Sequence, residues 1–134
     1  MHSLEDANAW VNFAQRDYDV AVHLSKTFHP MPVENICYGC QQAIEKALKA
    51  ALIYFTDDYP KTHDIGSLYR LCKEYTTKIE LTPSIARIIT RFATKSRYPD
   101  DVNDFTEADT ILGLKYARQI LEQVREVLSV KAQQ

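Results

Sequence analysis

The chain has 134 residues and a mass of 15.4 kDa, which is the length of a single domain. Its composition, 46% hydrophobic and 25% charged, is globular and excludes a disordered chain, a fibrous repeat or a disulfide miniprotein. The net charge of −2 excludes an overall positive field that would attract nucleic acid or an anionic membrane. Only three glycines and five prolines occur, and no Asn-Gly or Asp-Gly turn, so the sequence predicts an all-α fold.

Two long helices are predicted in the first half of the chain. The first begins near Ser3, whose hydroxyl can accept a backbone N–H of the first turn, and continues at helical spacing to about Phe28. The second runs from about Val33 to Phe55, with an apolar seam facing inward. Its other face is expected to be solvated and carries Gln42, Glu45, Lys46 and Lys49.

Three more helices are predicted in the second half. Asp64 can cap a short third helix, and Thr82 with Pro83 marks the start of a fourth. Residues 96–105 are expected to form a loop, and a capping box from Thr106 to Asp109 opens the last helix. Short connections between the long helices favour an antiparallel bundle of four to five helices. We expect residues 1–134 to form this bundle as a single domain.

The sign of the charge changes between the last two predicted helices. No acid lies between Leu81 and Pro99, whereas a run of acids follows from Asp100 to Asp109. The basic residues Arg87, Arg91 and Lys95 are four apart and form one stripe, in which each like-charged pair costs about 0.2–0.5 kcal/mol. A phosphate-bearing ligand would offset this repulsion, and so would the neighbouring acids on a solvated surface.

Other motifs have structural interpretations as well as functional ones. The Cys-x-x-Cys at 37–40 lies inside a predicted helix, which favours packed free thiols over redox or zinc chemistry. Gly39 within it predicts a close helix contact. The acids between Asp100 and Asp109 do not have calcium-loop spacing, so we expect helix capping rather than a metal site. His63 is either a proton donor or an ordinary surface imidazole.

Several segments match a known family in order over almost the whole chain. They are Ala14-Gln15-Arg16-Asp17-Tyr18, residues 40–50, Thr62-His63-Asp64-Ile65, Ser96-Arg97-Tyr98-Pro99-Asp100, and a closing helix with Ala108 and Ala117. As a set they resemble the HEPN family, small α-helical domains associated with nucleotide and RNA biology. The resemblance implies a helical bundle, commonly a homodimer, often paired with a minimal nucleotidyltransferase in a toxin–antitoxin arrangement.

The resemblance also implies a test for RNase activity. Many toxic members are metal-independent RNases with an arginine and a histidine, four to six residues apart, near the start of the last helix. Here no histidine follows Arg87, Arg91 or Arg97. Arg16 and His23 have the spacing but lie in the first helix, away from the motif position.

We therefore expect a HEPN-type module, leaning away from an enzyme, with no catalytic residue, cofactor or metal. It is expected to bind a nucleotide such as ATP or GTP, phosphate or RNA, or to pair with a nucleotidyltransferase. The alternatives are an RNase toxin acting through Arg97 and a purely structural module. Because the start lacks a secretion signal and no long apolar run occurs, we expect a cytoplasmic protein with no membrane contact. Candidate ligand residues are Arg87, Arg91, Lys95, Arg97, Tyr98, Asp100, Lys46, Lys49 and His63.

Overall fold

A computed structural model describes residues 3–94 and 105–132 of the chain. It contains five helices: α1 (Ser3–Thr27), α2 (Val33–Thr56), α3 (Ile65–Lys73), α4 (Pro83–Thr94) and α5 (Glu107–Ala132). No strand occurs in these two ranges, so the all-α prediction is confirmed. The expected loop at 96–105 lies outside the described residues apart from Phe105, whose ring packs edge-on against Phe92.

Helix α2 is the centre of the bundle, because it packs against all four other helices. Helix α1 runs antiparallel to it, since the Ser3 hydroxyl at the start of α1 donates to the Asp57 carboxylate just after α2. Within the described residues α1 begins at Ser3, where the sequence predicts the helix start. Its hydroxyl ties two helix ends together.

Helix α5 begins beside the start of α2 and runs antiparallel to α1. Near its start, the Thr110 hydroxyl lies 3.7 Å from the sulfur of Met31, the second residue before α2. Near its end, the Arg125 guanidinium donates to the Gln15 side chain of α1 at 2.9 Å. The three long helices thus form the body of the bundle, and the shorter α3 and α4 pack on α2.

The starts of α3, α4 and α5 are held by side chains as the sequence predicts. Thr82 accepts the Ile85 N–H at 3.2 Å, and Asp64 accepts the Gly66 N–H at 3.3 Å. In the capping box, the Asp109 carboxylate accepts the N–H of Thr106 at 2.9 Å. Each contact satisfies a backbone donor that the helix itself leaves without a partner.

Glycines let the long helices approach closely at two places in the core. A Cβ on Gly39 would lie 3.3 Å from the Cβ of Ala21 in α1, which confirms the close contact expected there. A Cβ on Gly113 of α5 would lie 3.1 Å from the Cβ of Cys40. The three cysteines are free and buried, and burial raises the pKa of each thiol to about 12, so the packed-thiol interpretation is confirmed.

Candidate functional site

A row of buried polar side chains runs along one face of α2. Gln41, Glu45 and Lys49 are one helical turn apart, and Glu45 and Lys49 are only 5% and 4% exposed. Gln41 Nε2 donates to Glu45 Oε1 at 2.8 Å, and Lys49 Nζ donates to Glu45 Oε2 at 2.9 Å. The Glu45 carboxylate therefore receives a donor on each oxygen from its own helix.

This burial corrects the expectation of a solvated face on α2. Glu45 and Lys49 are both shielded from solvent, because α2 packs against all four other helices and Tyr59 lies over Lys49. The cover over Lys49 is Tyr59, whose ring centroid lies 5.3 Å from Nζ. Trp10 of α1 packs edge-on against Tyr59 and holds it in place.

His63 completes this group from the segment that leads into α3. Its Nδ1 lies 3.1 Å from Glu45 Oε1 and 3.0 Å from Oε2, whereas 73% of its side chain is exposed. The imidazole thus has one edge against a buried carboxylate and the rest of the ring in solvent. The structure brings the predicted residues His63 and Lys49 together through Glu45.

The surroundings of Glu45 decide its charge. Burial raises the pKa of this carboxyl, but hydrogen bonds from Lys49, Gln41 and His63 and the charge of Lys49 lower it, and the net shift is downward. The carboxylate is therefore ionised at neutral pH and can only accept hydrogen bonds. It follows that Nδ1 of His63 carries the hydrogen in this contact.

Lys46, also a predicted ligand residue, has a different place. Its Nζ lies 2.6 Å from Asp17 Oδ2 of α1, and both side chains are partly exposed. The pair joins α1 to α2 and does not include the Glu45 carboxylate. Lys46 is thus part of the α1–α2 contact.

Arg87 and Arg91 lie on the exposed side of α4, which contains no acid. Thr90, which shares this side of the helix, accepts the backbone N–H of Ile65 at 3.0 Å and lies 3.4 Å from the Asp64 carboxylate. Since Asp64 follows His63 directly, Thr90 joins α4 to the segment that holds the imidazole.

The other predicted ligand residues, Lys95, Arg97, Tyr98 and Asp100, lie outside the described residues. Sequence reasoning missed Glu45 and Gln41 as site residues. The available signal was the spacing of four that places Gln41, Glu45 and Lys49 in one row, together with a histidine in the next segment.

In residues 3–94 and 105–132 no group of three potential ligands could hold a metal ion. None of the helices described is both long and apolar enough to cross a membrane.

Comparisons with known proteins agree with this architecture. A family model described as "HEPN domain" matches residues 7–131. TT1696 from Thermus thermophilus superimposes with a TM-score of 0.71 at 21% identity, over 90% of this chain and 96% of that one. ST0689, an archaeal HEPN homologue, superimposes with a TM-score of 0.63 at 25% identity, over 91% of this chain and 97% of that one. No curated protein matched the sequence significantly.

Proposed function

The chain belongs to the HEPN domain family, and on that premise we propose that it is a homodimeric module that binds a nucleotide or another phosphate-bearing ligand and pairs with a minimal nucleotidyltransferase. The observation that supports the ligand half is the exposure of Arg87 and Arg91 on a helix that contains no acid. Two guanidinium groups on an acid-free helix side supply several N–H donors and two positive charges, which suit phosphate oxygens.

The direct contacts are assigned to Arg87, Arg91 and His63. Lys49 is buried under Tyr59 and paired with Glu45, so its charge acts through Glu45 rather than on the ligand. In the sequence, Lys95 and Arg97 continue the basic stripe, with Tyr98 and Asp100 as further hydrogen-bonding groups. The proposal extends to these four residues.

Calorimetry with ATP, GTP, inorganic phosphate and a short RNA at low salt tests the ligand half. We expect heat of binding that weakens as salt is added, since exposed charges are screened at high ionic strength. Arg87→Gln/Arg91→Gln should lose binding, whereas Arg118→Gln, which removes an exposed arginine from α5, should retain it. Absence of heat with all four ligands, or equal loss in both variants, would contradict the proposal.

The pairing half is tested separately. Sedimentation equilibrium should give twice the chain mass of 15.4 kDa, and a monomer over the whole concentration range would rule out the homodimer. If a nucleotidyltransferase gene lies beside this one, its product should co-purify with the chain. Charge reversal of Arg91 and Lys95 then distinguishes two kinds of interface. Loss of co-purification indicates that the partner binds the basic stripe, whereas co-purification of the variant indicates an apolar contact.

A further inference from the structure

The imidazole of His63 is held in one orientation and one tautomer. Glu45 is buried and ionised, and its oxygens lie 3.0 and 3.1 Å from Nδ1, so the hydrogen of a neutral ring stays on Nδ1. The lone pair of the neutral ring is then on Nε2. Because 73% of the side chain is exposed, Nε2 belongs to the open part of the ring rather than to the carboxylate contact.

A carboxylate in this position also changes the reactivity of the ring. When Nε2 bonds to an electrophile, positive charge develops on the imidazole, and a fixed anion beside Nδ1 stabilises that charge. Gln41 and Lys49 hold the anion in place, so little reorganisation is required. A histidine oriented by a buried carboxylate is therefore a better nucleophile than one in free solvent.

The other described histidines provide an internal comparison. His23 and His29 are both exposed. Within residues 3–94 and 105–132, neither lies within ion-pair distance of a carboxylate. They report the reactivity of a surface imidazole in the same molecule.

We propose that Nε2 of His63 is an acceptor site for a phosphoryl group delivered by a small phosphoryl donor, a property that goes beyond the ligand binding proposed above. With phosphoramidate as donor, the Nε2 lone pair forms a bond to phosphorus and the donor's P–N bond breaks. The leaving nitrogen keeps the electron pair and departs as ammonia after taking a proton from solvent. The Glu45 carboxylate offsets the positive charge on the ring, and the phosphoryl oxygens remain in water.

The test is to incubate the whole chain with potassium phosphoramidate at neutral pH and follow its mass, then map the modified peptide without acid treatment. We expect His63 to be phosphorylated at least about tenfold faster than His23 or His29. Phosphorus NMR should assign the group to Nε2. Equal rates at the three histidines, or a product on Nδ1, would overturn the proposal.

Variants test the part played by the carboxylate. Glu45→Gln should reduce the rate at His63 toward that of His29, whereas Lys46→Gln, on the same helix but paired with Asp17, should leave it unchanged. If Glu45→Gln fails to fold, the double variant Glu45→Gln/Lys49→Met is measured in its place, because it removes both buried charges. An unchanged rate at His63 in a folded variant without the carboxylate would refute the role of Glu45.

Discussion

The buried pair of Glu45 and Lys49 offers a quantitative test of how α2 is stabilised. At the observed separation of 2.9 Å, the Coulomb attraction is about 6 kcal/mol at an effective dielectric constant of about 20, and desolvation of the two ions offsets most of it. Glu45→Gln removes the attraction but leaves the Lys49 ammonium buried. We therefore expect the free energy of unfolding to fall by about 3–5 kcal/mol.

Urea denaturation followed by circular dichroism measures this loss. With a slope of about 2 kcal/mol per molar urea, the midpoint should move down by about 1.5–2.5 M. The control is Glu122→Gln, which breaks the Arg118–Glu122 pair, also four residues apart but with side chains 70% and 65% exposed. This control should lose less than about 1 kcal/mol.

A double variant distinguishes the loss of the Coulomb attraction from the cost of leaving the Lys49 ammonium buried without a partner. Glu45→Leu/Lys49→Met removes both ions and should recover most of the stability that Glu45→Gln loses. Similar small losses in Glu45→Gln and Glu122→Gln would refute the reasoning, because they would mean that burial does not raise the cost of an unpaired charge.

Three further predictions concern packing, pH and the thiols. Gly113→Ala should lower the urea midpoint despite about 1 kcal/mol of helix propensity gained, because its Cβ would lie 3.1 Å from that of Cys40; a higher midpoint would contradict the tight contact. The lowered pKa of Glu45 means that its contribution to stability is complete above its ordinary value of 4.5 and is lost as the pH falls through the folded-state value. Urea titrations from about pH 6 to about pH 3 should show this loss, and a variant without the carboxylate should show less of it. Since burial raises the pKa of Cys37, Cys40 and Cys72 to about 12, a thiol reagent at neutral pH should react only after unfolding, and rapid labelling of the native protein would contradict their burial.

The helices could be predicted from sequence because their signals are local. Thr82 with Pro83, the capping box at Thr106 and the cap at Asp64 each act within one turn, and the structure shows all three contacts. Gly39 was also informative, since a glycine within a helix has a cost that a close packing contact can offset. These features require no knowledge of which helices meet.

The arrangement around Glu45 could not be predicted in the same way. A helix with glutamate and lysine four residues apart is typical of a solvated surface, and only the packing of four helices around α2 buries this pair. The contact with His63 joins residues that are 18 positions apart in sequence and depends on the path of the segment between α2 and α3. Burial and long-range contact are tertiary properties, so the sequence indicated the residue types but not their roles.

The glycine contacts and the polar row also share one helix, and this restricts how the protein can change. Gly39 and Cys40 set the rotation of α2 against α1 and α5, while Gln41, Glu45 and Lys49 continue along the same helix. Inserting a single residue between Cys40 and Glu45 would turn everything after it by about 100° relative to the contacts before it. The glutamate would then face away from His63 while the glycine stayed in place. An insertion or deletion in this stretch of α2 would therefore break the contact between Glu45 and His63. Substitutions that keep the length of the helix would not have this effect.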